Sequence, residues 1–105
     1  MSKIQIERIR KMESYLDEAG TAVAELAEAL DRYEKIQSKY YKLEKYYGSS
    51  KWIDDFEADE AGKLPADLKR GVLSEDAVYD LITDHSELMA RMQRAVLKSI
   101  EKKDF

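Results

Sequence analysis

Between residues 9 and 33, apolar side chains recur at gaps that alternate between three and four residues. This spacing is the heptad repeat, in which positions a and d form one narrow apolar face of an α-helix. Charged residues fill the outer positions, so the pattern predicts a long helix, about residues 4–47, that packs against another helix. We call the apolar face the heptad seam, and its residues are Ile9, Met12, Leu16, Ala19, Val23, Leu26, Leu30 and Tyr33.

Two irregularities interrupt this pattern. After Tyr33 the apolar stripe changes phase and continues through Ile36, Tyr40, Leu43 and Tyr47, a slip that re-aims the apolar face. Gly20 offers the one place for a break, with Thr21 as a possible N-cap. The seam crosses Gly20 in register and alanines surround it, so we expect a continuous helix with Gly20 as a close-packing point.

Residues 48–73 form a connector with the local signals of turns. Gly48 stands where a helix-ending glycine is expected, and Ser49 and Ser50 then offer an N-cap for a short helix over residues 51–61. Gly62 closes that helix in the prediction. A second short helix of one or two turns is predicted from Leu64 to Arg70, with Pro65 at its first position and Gly71 at its end.

The acids of the connector are predicted to hold it together. On a helix, Trp52 and Phe56 share one arc, and Asp59 and Glu60 fall beside it. Shielded carboxylates need donors, because burying a charge without partners is costly. The next segment supplies Lys69, Arg70 and free backbone N–H groups. We therefore expect both acids to be partly buried and to fasten the connector.

A second long helix is predicted over about residues 74–103. Ser74 is its expected N-cap, and Leu73 and Val78 are spaced as a hydrophobic staple. Its apolar stripe is broad and includes His85, the only histidine, which we interpret as a packing residue. Acidic residues open this helix and basic residues close it, which suits the helix dipole.

These elements predict an all-α single domain, residues 1–105. Its architecture is an antiparallel long-helix hairpin or bundle with one or two short helices in the connector. The first helix is longer than the last, so part of its seam would lack a partner inside the chain. Because monomers avoid exposed apolar stripes, we expect a homodimer that completes the seam. An unidentified protein partner is the other expected interactor.

Composition and charge bear on where the protein is located and on which partners it binds. The chain has 105 residues, a net charge of −4 and no cysteine. It has no apolar stretch of membrane-spanning length and no signal-peptide pattern. We expect a cytoplasmic protein without a membrane partner. Nucleic acid is an unfavoured partner for an acidic chain. In a hairpin, however, Lys3, Arg8, Arg10 and Lys11 would lie near the basic tail of the last helix, and this basic end leaves weak binding as an alternative.

Catalytic and metal chemistry find little support in the sequence. Read as an EF-hand loop from Asp55, the sequence has Glu60 where glycine is required and Ala66 where glutamate is required. A two-metal bundle needs repeated Glu-x-x-His motifs, which one histidine cannot supply. We predict no catalytic residues, no metal and no cofactor, and an enzyme is the less favoured class.

Aromatic and acidic residues nevertheless converge near the connector. A packed aromatic core bonded to carboxylates is one interpretation, and a pocket for a small ligand, a peptide or a metal, conceivably enzymatic, is the alternative. The candidate cluster comprises Tyr46, Tyr47, Trp52, Asp55, Phe56, Asp59, Glu60, Tyr79 and His85.

The connector also carries a family resemblance. Its residues follow the pattern Tyr46–Tyr47, Ser49, Trp52, Asp55, Asp59–Glu60, Gly62, Leu64–Pro65, Leu68–Lys69, Gly71 to Asp76 and Tyr79. This pattern resembles the small bacterial family of domain-of-unknown-function proteins numbered 4298. The resemblance implies a stand-alone bacterial protein of this size, and it implies no activity.

Overall fold

The computed structural model describes residues 2–103. In this range the protein is all-α and contains no β-strand, which confirms the predicted fold class. The elements in chain order are helix α1 (Lys3–Tyr47), helix α2 (Ser50–Glu60), a 3-10 turn (Gly71–Leu73) and helix α3 (Ala77–Lys102). The chain divides into two compact units, Met1–Tyr40 and Tyr41–Phe105.

The first unit consists of the greater part of α1. The hydroxyl of Ser2 accepts a hydrogen bond from the backbone N–H of Gln5 at 3.1 Å, so Ser2 caps the helix. The helix continues through Gly20, as predicted, and Thr21 does not begin a new helix. The expected close packing at Gly20 is not found within the chain, because an added Cβ there would meet nothing within 4 Å apart from its chain neighbours and the backbone of its own helix.

The second unit begins with the end of α1 and the start of α2. Helix α1 ends at Tyr47, directly before Gly48, as the glycine predicted. Ser49 occupies the N-cap position of α2 with extended backbone angles, but its side chain does not cap α2. Its hydroxyl instead donates to the carbonyl of Tyr46 at 2.7 Å. A carbonyl in the last turn of a helix has no helical donor, which explains this alternative bond.

The end of α2 follows the predicted glycine geometry. Gly62 has a φ of 68°, in the left-handed region that glycine adopts without a steric penalty. Its N–H donates to the carbonyl of Asp59 and the N–H of Lys63 donates to the carbonyl of Ala58, both at 3.0 Å. This pair of bonds is the Schellman motif, which satisfies carbonyls at the end of α2.

The predicted second short helix over residues 64–70 is wrong. This segment forms a turn, in which the N–H of Leu68 donates to the carbonyl of Pro65 at 3.2 Å. The 3-10 turn begins at Gly71 instead of ending there. So short a segment gains too few backbone hydrogen bonds to offset the entropy of starting a helix.

Helix α3 begins three residues later than predicted. Its N-cap is Asp76, and the first helical residue is Ala77. Ser74 still accepts a hydrogen bond from the N–H of Ala77 at 3.2 Å, so it stabilises the turn before the helix. The predicted staple residues Leu73 and Val78 are 6% and 3% exposed. They are the two buried apolar side chains of the second unit within the described range.

No helix among the described residues combines the length and apolar content that crossing a membrane would need.

Candidate functional site

The second unit is organised around the indole of Trp52. Its Nε1–H donates to the backbone carbonyl of Val72 at 2.9 Å, which ties α2 to the 3-10 turn. Phe56 lies one helical turn further along α2 and stacks on the indole, with centroids 5.1 Å apart and an interplanar angle of 19°. The ring of Tyr47 meets the indole edge-on, also at 5.1 Å. We call Tyr47, Trp52, Phe56 and Val72 the Trp52 cluster.

Asp59 fastens α2 to the segment that follows it. Its Oδ1 accepts a hydrogen bond from Nη1 of Arg70 at 3.0 Å, and the two side chains are 26% and 35% exposed. The predicted role of Asp59 therefore matches the observed contact. The same expectation is wrong for Glu60, whose side chain is exposed. Glu60 is the last residue of α2, where the chain turns at Gly62.

A hydrogen bond also joins the end of α1 to α2. The hydroxyl of Tyr46 donates to Oδ2 of Asp55 at 2.6 Å. This bond holds the phenolic proton, and with partial burial and the negative charge of Asp55 it raises the pKa of Tyr46 to about 12. Tyr46 is therefore a neutral donor at physiological pH.

Two further predicted site residues, Tyr79 and His85, lie on α3. The ring of His85 is half-buried and meets the ring of Tyr41 edge-on, with centroids 6.1 Å apart. Tyr79 is 59% exposed. The prediction that Tyr79 belongs to a packed aromatic core near the connector is therefore wrong. In residues 2–103, no three acidic or histidine side chains come together in a group that would hold a metal ion.

An open groove of about 450 Å³ lies beside the start of α3. Its lining is apolar apart from one lysine and comprises Leu43, Lys69, Gly71, Val72, Ala77, Val78 and Leu81. None of the predicted site residues lines this groove.

In the first unit, the distinctive feature is the heptad seam. Leu16, Val23 and Leu26 are 65%, 66% and 62% exposed, and Ile9, Met12 and Leu30 are also exposed. The seam is therefore a row of large apolar side chains that is exposed along a regular helix.

The sequence predicted hydroxyls bonded to carboxylates near the connector, but it did not identify the partners in two contacts of the second unit. The acceptor for the indole of Trp52 is a backbone carbonyl, and a carbonyl leaves no side-chain signal. The bond between Tyr46 and Asp55 crosses the junction of two helices. The turn around Gly48 sets the distance between Tyr46 and Asp55. The helical periodicity of either segment contains no information on that distance.

Fold and contacts together define a small all-α protein with two long helices, a connector held by a tryptophan, and an exposed heptad seam. The family model described as Domain of unknown function (DUF4298) matches residues 9–95. The chain therefore belongs to this family, as the connector residues indicated. No curated protein and no solved structure matches the chain. The family description assigns no activity.

Proposed function

We propose that the protein is a non-enzymatic helical interaction module that self-associates, as a homodimer, through the heptad seam of α1. The observation that carries the proposal is the exposure of the seam: Leu16, Val23 and Leu26 are all more than 60% exposed on an unbroken helix.

Burial of these side chains supplies the driving force. Moving a leucine or valine from water into an apolar contact stabilises by roughly 1.5–3 kcal/mol when burial is complete. The seam has eight positions over 25 residues, counted from Ile9 to Tyr33. Even partial burial of several of them exceeds the gain from any single polar contact of the chain.

A second copy of the chain is the partner that this seam fits. A heptad seam packs against another heptad seam, because knobs of one helix enter holes formed by the other. Every copy carries the same seam, so a two-fold arrangement buries the seams of both copies in one interface.

The charges of α1 are compatible with this arrangement. In the heptad register that places Ile9 at position a, Asp17, Glu18, Glu25 and Glu28 occupy the outer positions b, c and f. They remain in solvent when the seam is buried. Glu13 is the single acid between residues 13 and 28 that flanks the seam, so repulsion between acidic helices is limited.

The contacts of the connector support an architectural role for its acids. Asp55 and Asp59 each hold a partner from the same chain, Tyr46 and Arg70 respectively. Each bond uses one carboxylate oxygen for a contact within the chain. We therefore assign the connector to the folding of the second unit and the seam to the function.

The test compares two glutamates introduced into the same helix. Leu26→Glu places a charge in the seam, whereas Ala24→Glu places the same charge on the outer face of α1. Leucine and glutamate have similar helix propensities, so in a monomer the first change would cost very little. In a dimer it buries a charge against an apolar surface and prevents association.

Thermal melting followed by circular dichroism, at two protein concentrations, gives the readout. We expect the melting midpoint of the wild type and of Ala24→Glu to rise with concentration, because association stabilises the folded state. Leu26→Glu is expected to melt earlier and at a midpoint independent of concentration. If both variants melt like the wild type, the seam is not an interface.

A further inference from the structure

We infer that the two seams pair in antiparallel orientation, related by a two-fold axis that crosses the interface at the level of Thr21 along α1. This inference rests on the proposed self-association and adds the orientation and register of the partner. It follows from the sizes of the seam residues and of the residues beside them, all of which lie on the unbroken part of α1.

Antiparallel pairing brings the one small residue of the central layers, Ala19, against a larger residue of the partner and leaves the neighbouring layers similar in size. Around an axis at Thr21, position a of one helix faces position d of the other. Ala19 then faces the partner's Val23, and Leu16 faces the partner's Leu26. Further out, Met12 faces the partner's Leu30. Each small residue is opposed by a larger one, so the two helices keep an even separation along the seam.

Parallel pairing packs the same residues less evenly. Each layer would then contain two copies of one residue, so Ala19 would face the partner's Ala19 and Tyr33 would face the partner's Tyr33. The alanine layer would leave a gap between the layers of Leu16 and Val23, and a gap forfeits dispersion contacts on both sides. Packing therefore favours the antiparallel arrangement.

The residues that flank the seam agree with this register. Gly20 and Ala22 lie on either side of the axis, where each faces its own copy and lets the helices approach closely. Tyr15 faces the partner's Ala29, so a large side chain meets a small one. The surface at Gly20 is open, since a Cβ added there would meet nothing within 4 Å apart from its chain neighbours and the backbone of its own helix.

One charge pair favours the opposite orientation. In a parallel dimer, Arg8 at position g would approach the partner's Glu13 at position e. Such pairs lie at the solvent-exposed rim, where salt bridges contribute little and are screened by salt. The layers of the seam, in contrast, are desolvated along their whole length, so packing decides the orientation.

Cysteine cross-linking tests the orientation, because the chain has no cysteine of its own. Met12→Cys and Leu30→Cys are made as separate full-length variants, one with a size tag, and are oxidised alone and as a mixture. In the antiparallel register, residues 12 and 30 of different copies face each other, whereas neither faces itself. Ser14→Cys, at an outer position, reports cross-linking by random collision. Leu16→Cys and Leu26→Cys repeat the test closer to the axis.

The expected result is a covalent dimer containing one copy of each variant, several-fold more abundant than the dimer from either variant alone. Covalent dimers from Met12→Cys alone and from Leu30→Cys alone would overturn the antiparallel orientation and leave self-association standing. Cross-linking no higher than that of Ser14→Cys in both pairs, together with a monomeric mass of the wild type, would overturn the proposed function as well. Light scattering on the unoxidised variants verifies that each still associates.

Discussion

Replacement of Trp52 by phenylalanine tests how the connector is held together. Phenylalanine keeps an aromatic ring beside Tyr47 and Phe56 but removes the Nε1–H that donates to the carbonyl of Val72. A hydrogen bond of this kind contributes about 0.5–1.5 kcal/mol, and the smaller ring loses part of the apolar contact. We expect a loss of about 1–2 kcal/mol in the free energy of unfolding.

Alanine at the same position removes the ring contacts as well. Each aromatic pair contributes about 0.5–1.5 kcal/mol beyond its buried area. Large aromatic-to-alanine changes in cores cost about 3–5 kcal/mol, and the half-burial of Trp52 places Trp52→Ala near the lower end of that range. The expected order of stability is wild type, then Trp52→Phe, then Trp52→Ala.

Urea and thermal unfolding, followed by circular dichroism at one fixed protein concentration, measure these differences. A loss of about 1 kcal/mol corresponds to a fall of roughly 4–8 °C in the melting midpoint for a domain of this size. Ile53→Ala is the matched control, because Ile53 is the neighbour of Trp52 on α2 and is 52% exposed. A Trp52→Ala variant as stable as Ile53→Ala would refute the account of the connector.

Three further predictions concern the polar contacts and the turn of the connector. Asp59→Asn weakens the pair with Arg70 and is expected to lower the free energy of unfolding by about 0.5–1 kcal/mol in low salt and by less in high salt. Glu60→Gln is expected to leave the urea midpoint unchanged. Equal effects of the two changes would contradict the assignment of Asp59 as the acid that fastens the connector. Tyr46 has a folded pKa of about 12, above its ordinary 10.0, so its contribution to stability is complete below pH 10 and lost as the pH rises towards 12. Tyrosinate absorbance measures this titration, and Asp55→Asn is expected to return the last-titrating tyrosine towards 10.0; an unchanged titration curve would argue against the bond. Gly62→Ala places a Cβ at a φ of 68° and is expected to lower stability by about 1 kcal/mol in the same unfolding assay, and no loss would count against the left-handed turn.

Those parts of the fold that depend on local signals were predictable from the sequence. Helix α1 ends directly before Gly48 and α2 ends in a glycine turn at Gly62, because glycine acts through its own backbone. The heptad pattern correctly predicted an unbroken helix across Gly20. A donor for Asp59 in the following segment was predictable from the chain order, but the sequence did not choose between Arg70, Lys69 and backbone N–H groups.

Features that depend on three-dimensional placement were not predictable in the same way. The segment after Pro65 has the composition of a helix start, but it forms a turn closed by the N–H of Leu68. Glu60 and Tyr79 were expected in the candidate cluster. A helical projection gives the direction of a side chain around its own helix, but it does not give the distance to other elements. Both are exposed, since no neighbouring element of the described chain covers them.

The solution mass of the wild-type protein tests the central claim most directly. Each chain has a mass of 12.2 kDa. Sedimentation equilibrium over a range of concentrations is predicted to show a reversible approach to twice that mass, with Leu26→Glu remaining at the mass of one chain. A wild-type mass of 12.2 kDa at every concentration would contradict self-association through the heptad seam.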